Sequence, residues 1–223
     1  MQSSSENEKK RRGRHKLLSK EQIIDAAQAI ITDPEAEFSM RELGMRLGVP
    51  HKTIYNYFDS REDLMKQVLS QAFSAIPRMS NDSPLSIREQ LHNELRGWRD
   101  LMIWYGPFIE NRTKIQSASA NNDSLYIEQI APSIQVLSDH GIPPLRALMV
   151  YATLLNWVLS VSRSMTKVGN WSKDYHSLRK PESMKNYPAL NAAVMDECFP
   201  KTGNDYFEAS LALLLDGLLG ELS

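Results

Sequence analysis

The stretch "MRELGMRLGVPHKTIYNYFDSREDL", residues 40–64, decides the fold. It sets two short amphipathic segments on either side of a Gly-Val-Pro corner. Ser39 stands where a cap is needed for the first segment, with Glu42 three residues on as its box partner. Met40, Leu43 and Leu47 recur at helical spacing and form the inner face. Gly48 ends the segment, because glycine takes the left-handed closing conformation without a Cβ penalty. Pro50 has a fixed φ and no N–H, which suits the first turn of a new helix, expected over about 50–57. Two helices joined by a tight glycine-containing turn, the second short and polar, make a helix-turn-helix.

The same signals extend outward. Ser19 caps a helix with Gln22 as box partner, and Ile23, Ile24, Ala27, Ile30 and Ile31 follow at helical spacing. The polar run "TDPEAEF" breaks it. On the other side Ser60 caps a helix over 61–76, with Asp63 as box partner and Leu64, Val68 and Leu69 inward, and Pro77 stops it. Leu43, Leu47, Val49, Ile54 and Phe58 can then share one core with Ile23, Ala27 and Ile30. That leaves the polar groups of His51, Lys52, Thr53, Asn56 and Tyr57 outward. Such a surface suits a DNA major groove: Asn can contact adenine bidentately, and Lys can reach guanine N7 or O6. The hydroxyls of Thr and Tyr, and the guanidinium of Arg61, suit phosphate oxygens.

Charge distribution points the same way. Residues 1–20 hold seven Lys/Arg and two Glu, a balance of +5, while the remaining 203 hold 19 Lys/Arg and 25 Asp/Glu, a balance of −6. Residues 1–17 read as disordered, and their "KKRRGR" run, with Arg11, Arg12 and Arg14, can follow an adjacent minor groove. This N-terminus lacks the apolar stretch of a secretory signal. The single cysteine, Cys198, excludes an internal disulfide, so a cytoplasmic protein is expected. No apolar run is read as reaching the roughly 20 residues of a membrane span.

The segment "IIDAAQAII…FSMRELGMRLGVPHKTIYNYFDSREDLMKQVL" resembles the DNA-binding domain of the TetR family of transcriptional regulators over about residues 19–70. The order of features carries the resemblance: Ala-Ala in the first helix, Leu-Gly-Val at the turn, Thr-x-Tyr-x-Tyr-Phe, then an acidic-Leu opening of the next helix. Gly44 departs from the usual Ala, and Arg61 from the usual Lys. The resemblance implies that His51, Lys52 and Asn56 face bases. It likewise implies that Arg41, Thr53, Tyr55, Tyr57 and Arg61 hold the DNA backbone.

The larger C-terminal region, from the polar break "RMSND" onward, is expected to be helical at about 84–105, 107–118, 123–140, 143–167, 183–197 and 204–222, with a long loop at 166–182. No stretch shows the period of a strand, so the fold is expected to be all-α: a three-helix reader domain over 19–76 and a larger helical domain over 77–223 for ligand binding and dimerisation. The 143–167 helix is apolar almost all round, with Leu148, Ala152, Leu155 and Leu159 on one side. The last helix carries Phe207, Leu211, Leu214 and Leu218 on one stripe. Paired on a twofold axis, these two helices would form a four-helix dimer interface; a monomer with a thick core is the alternative. The last helix and "MKNYPALNAAVMDECF" also resemble, more loosely, the tetracycline-repressor branch of the family.

Aromatic residues Trp98, Trp104, Tyr105 and Phe108 are interleaved with His92, Asn111, Arg112 and Gln116, and Met149, Asn156, Trp157 and Met165 can face them. Aromatic and methionine walls with a few polar groups describe a small-molecule pocket, and equally a core with satisfied polar residues. The family resemblance favours a pocket. It also implies a magnesium-bound drug and a histidine in the sixth helix for the tetracycline-repressor branch, and "GPFIENRTKIQ" contains no histidine. The five histidines are scattered, so no metal site, cofactor or catalytic constellation is read. The expected function is a homodimeric regulator, most simply a repressor, that binds a palindromic double-stranded DNA operator and is released by a small-molecule effector. An activator of the same fold, a ligand-binding protein with a vestigial DNA domain and an all-helical enzyme are the competing readings.

Overall fold

The structure, a computed structural model, describes residues 18–116, 122–165, 188–196, 200 and 202–219. Among these the fold is all-α, with no strand. The helices are α1 (Lys20–Ile31), α2 (Met40–Leu47), a 3₁₀-helix (His51–Asn56), α3 (Arg61–Ser74), α4 (Ile87–Gln116), α5 (Asn122–Asp139), α6 (Pro144–Met165), α7 (Pro188–Met195) and α8 (Gly203–Leu219). The chain divides into two compact units, Met1–Leu64 and Met65–Ser223, with the division falling inside α3.

In the first unit the caps form as the sequence expects. Ser19 closes a full capping box with Gln22, at 3.2 Å from Gln22 N to Ser19 Oγ and 3.0 Å in return. Ser39 Oγ accepts from Glu42 N at 3.1 Å, and Ser60 Oγ accepts from Asp63 N at 3.0 Å. The Asp63 carboxylate reaches back to Asp59 N rather than to the capping residue. Ile23, Ala27, Ile30, Leu43, Ile54, Phe58 and Leu64 are buried. Each of the larger side chains contributes about 1.5–3 kcal/mol relative to its exposed state.

In the second unit α4 packs on α6 and α5, and α8 packs on α4 and α6. The buried positions of α4 are Leu91, Leu95, Trp98, Leu101, Met102 and Tyr105, spaced by three and four. Two helices expected at 84–105 and 107–118 are one helix of 30 residues with Pro107 inside it. A proline removes one N–H from the ladder and usually marks a break. Here the helix continues to Gln116 beyond it. A second internal proline, Pro132, lies within α5.

Helix α6 is, by length and composition, apolar enough to cross a membrane. That corrects the sequence reading, which found no such run. Its inward face explains the composition: Ala147, Val150, Tyr151, Leu154, Leu155 and Val158 are all buried. Helix α8 meets this core through Phe207, Leu211 and Leu215, with Trp157 stacked on Phe207 at 5.2 Å. Ionic contacts flank the α4–α8 seam. Glu208 takes His92 Nε2 at 3.0 Å, Arg96 Nε at 2.8 Å and one Arg99 nitrogen at 3.1 Å, while Arg88 meets Asp216 at 2.8 Å.

Candidate nucleic-acid interface

The turn between α2 and the 3₁₀-helix is built by two glycines. Gly48 sits at φ 68°, ψ 27° and donates its N–H to the carbonyls of Gly44 and Met45. A side chain there would pay the left-handed penalty of about 1–2 kcal/mol. Gly44 is needed for space. A Cβ on it would stand 2.9 Å from the Val49 carbonyl oxygen and 3.0 Å from both Cα and N of His51. These are backbone atoms, so no rotamer change relieves them. The first residue of the 3₁₀-helix is thus pressed directly onto α2.

The second helix of the motif is tighter than the expected 50–57 α-helix. Thr53 N donates to Pro50 O at 2.8 Å and Tyr57 N to Ile54 O at 2.9 Å, the i to i+3 pattern of a 3₁₀ turn. Pro50 keeps an extended ψ of 136° and supplies no side-chain cap. With six residues and no cap, the segment gains little from α-helical bonding. Ile54 fixes its inner side, fully buried, and Phe58 follows.

His51, Lys52, Tyr55 and Asn56 are exposed, and Thr53 and Tyr57 are half-buried. Tyr55 is 45% exposed, large for an aromatic ring, so its phenol is presented outward rather than tethered in the core. Arg41 is exposed on α2, and Met45, one turn on, is 68% exposed on the same helix. Met45 was not singled out in the sequence; its offset of two from Leu43 was the available signal, because that rotates it off the inner face. Arg61 is exposed at the start of α3, its guanidinium 5.5 Å from the Phe38 ring centroid. Arg46 is instead tied to Asp33 at 2.9 Å and to Glu42 at 3.5 Å, which braces the end of α2 against the turn after α1. Arg11, Arg12 and Arg14 lie outside the described residues.

The residues considered for a ligand site differ in burial. Trp98 is buried, its Nε1 donating to Tyr151 OH at 3.1 Å. His92 is paired with Glu208. Trp104, Phe108, Trp157 and Met165 are half-buried. Met149 is 61% exposed, and Asn156 is exposed rather than held inside the subunit. The side chains of Asn111, Arg112 and Gln116 lie outside the described residues. Of the residues considered for a dimer face, Leu155, Phe207 and Leu211 are fully buried within the subunit; Leu148 is exposed, and Ala152, Leu159, Leu214 and Leu218 are half-buried.

Residues 23–68 match the family model described as bacterial regulatory proteins, tetR family. Comparison with curated proteins gives no match. Among solved structures, the chain is similar to a TetR transcriptional regulator from Streptomyces coelicolor, at 16% identity and a TM-score of 0.61, covering 92% of this chain and 99% of that one. It is similar to the Streptomyces coelicolor TetR family protein ActR in complex with actinorhodin, at 19% identity and a TM-score of 0.56, covering 92% and 98%. It is also similar to a TetR variant from Acinetobacter baumannii in complex with minocycline, at 16% identity and a TM-score of 0.51, covering 92% and 96%. The helix-turn-helix is of the tetR family, and the chain as a whole has the fold of TetR-family transcriptional regulators.

Proposed function

We propose that this protein is a homodimeric, ligand-responsive transcriptional regulator, most simply a repressor, that binds a palindromic operator and is released by a small molecule held in the second unit. The observation that carries the reading is the outward set His51, Lys52, Tyr55 and Asn56 on a short helix pressed onto α2. Lys52 and Asn56 suit guanine and adenine edges in the major groove. Arg41, Thr53, Tyr55, Tyr57 and Arg61 suit phosphates. A DNA target places the protein in the cytoplasm.

Pairing is supported by the outer face of α6. Leu145, Met149, Ala152, Asn156, Leu159 and Arg163 follow one another at spacings of four, three, four, three and four. That is the stripe of a helix–helix seam, opposite the buried face. Leu145 is 71% exposed, and on α8 Leu213 is 73% exposed. Two short readers on a twofold axis give a palindrome the affinity that one reader lacks. An effector is supported by the similar folds that hold actinorhodin and minocycline. A few kcal/mol of differential affinity between two states suffices for release.

The test is selection of duplexes from a random-sequence pool with the full-length protein, followed by gel shift across salt concentrations. A palindromic consensus with salt-sensitive, sequence-selective binding is expected; binding indifferent to sequence overturns the reading. Actinorhodin and minocycline, titrated while tryptophan emission and duplex release are followed, probe the effector half.

A further inference from the structure

The interior of the second unit holds a fully buried carboxylate, Glu94 of α4. A buried charge is tolerated only when paired and hydrogen-bonded. Glu94 is both. Tyr151 OH donates to it at 2.7 Å and Ser133 Oγ at 2.8 and 2.6 Å, and Met79 N donates at 3.3 Å. Burial and the Glu94 charge push the Tyr151 phenol far above its usual 10, so it stays a donor. The cationic partner is Arg78, at 3.4 Å.

Arg78 belongs to no helix. It lies just past α3, and its guanidinium fans out to three elements. One nitrogen meets Glu94 and donates to the Gln129 carbonyl on α5 at 2.7 Å. The other donates to Gln129 Oε1 and, at 3.3 Å, to the Phe73 carbonyl in the last turn of α3. That carbonyl also accepts from Ile76 N at 3.3 Å, so the guanidinium joins the turn that closes α3. The guanidinium also lies 5.7 Å from the Trp98 ring centroid, and Phe73 meets the same ring edge-on at 5.8 Å. Gly97 leaves α4 bare where Ile76 and Pro77 cross it: a Cβ there would stand 2.9 Å from Pro77 Cδ. One side chain therefore ties the end of α3 to α4 and α5 at a spot shaped for close approach.

We propose that Arg78 and Glu94 form a latch that holds the last turn of α3 and the segment after it against α4 and α5, and that operator binding requires the latch closed. The DNA half rests on the regulator reading above. The bond between them is the longest that Glu94 makes, and the Arg78 side chain is 27% exposed while Glu94 is sealed. Arg78 is thus the member able to leave. When it does, Ser133 and Tyr151 still hold the carboxylate in place, but its charge is left unpaired. The proposed open arrangement is penalised until something else satisfies Glu94.

The test uses the full-length protein and three variants: Arg78→Met, Glu94→Gln and the double variant. Amide hydrogen exchange should quicken at least tenfold at Met79 and in the last turn of α3 in both single variants, while the buried amides of α4 and α6 keep their protection. Affinity for the duplex selected by the parent protein should fall at least tenfold in each. The double variant should be no worse than the worse single, because the pair acts as one unit. If Arg78→Met unfolds, because it strands the charge, Glu94→Gln and the double variant still carry the comparison. Unchanged exchange at Met79 in Glu94→Gln overturns the latch. Faster exchange with affinity within twofold of the parent overturns its link to DNA, as do losses that multiply in the double variant. A parent protein that enriches no duplex overturns the DNA half and the regulator reading together, while the exchange arm still decides whether the latch exists.

Discussion

A methyl group added at Gly44 would press on the Val49 carbonyl at 2.9 Å and on the backbone of His51, with no side chain able to yield. Gly44→Ala is therefore expected to destabilise the first unit by about 1–3 kcal/mol, read from urea unfolding. It should also weaken the selected duplex, because the reader backbone must shift. Outward side chains act differently. Asn56→Ala should cost about 1–3 kcal/mol of discrimination at one base pair and leave other positions intact. Arg61→Ala should weaken all duplexes alike and lower the salt slope by about one. Competition gel shifts against single-site duplex variants separate the two behaviours. At this scale much was legible from residue type. Gly48 announced a left-handed corner and Ile54 and Phe58 announced a core, because local chemistry dictates those positions. Asn156 was expected to be able to face the aromatic cluster, and packing leaves it exposed in the subunit.

Helix ends carry the next layer, and they respond to acid. Ser86 and Glu89 bond reciprocally before the body of α4: Ser86 N and Oγ donate to Glu89 Oε2 at 2.9 and 2.7 Å, and Glu89 N donates back at 3.3 Å. The Ser86 hydroxyl first, and its backbone N–H second, hold the Glu89 carboxyl below its ordinary 4.5. A depressed carboxylate adds stability that is present above the unfolded value and lost as pH falls through the lower folded one. Ser86→Ala should return Glu89 toward 4.5 and remove that acid-sensitive increment, seen by carboxyl NMR titration. The sequence announced three caps, at Ser19, Ser39 and Ser60, because a cap is a four-residue pattern. It did not announce that α4 runs through Pro107, or that the reader is a 3₁₀ segment. Those outcomes depend on what each helix packs against. The tie of Arg78 to Glu94 and Gln129 was also invisible, since its partners lie 16 and 51 residues away.

For the molecule as a whole, the proposed pairing makes a sharp claim about two exposed residues, Met149 and Leu213. Met149→Glu and Leu213→Glu, placed on surfaces already open in the isolated subunit, should leave the fold intact and yield monomers in sedimentation velocity. Affinity for the palindrome should then fall by about 10²–10⁴, the factor that linked binding supplies. The sequence supplied an all-helical architecture and two apolar helices for the interface. It left the choice of face open, because α6 is apolar on both sides. Packing resolves the inward side through Tyr151, Leu154 and Val158.

Glu208 gathers His92, Arg96 and Arg99 around one carboxylate. Such a hub has unequal tolerance to change. Losing any one spoke leaves the others in force, whereas losing the hub removes the carboxylate that Arg96 and Arg99 share and leaves two cations side by side on α4, Arg99 with Asp100 still beside it. Random mutagenesis should therefore recover changes at Arg96 freely and at Glu208 seldom, and a revertant of a Glu208 loss should arise by discarding one of the two arginines.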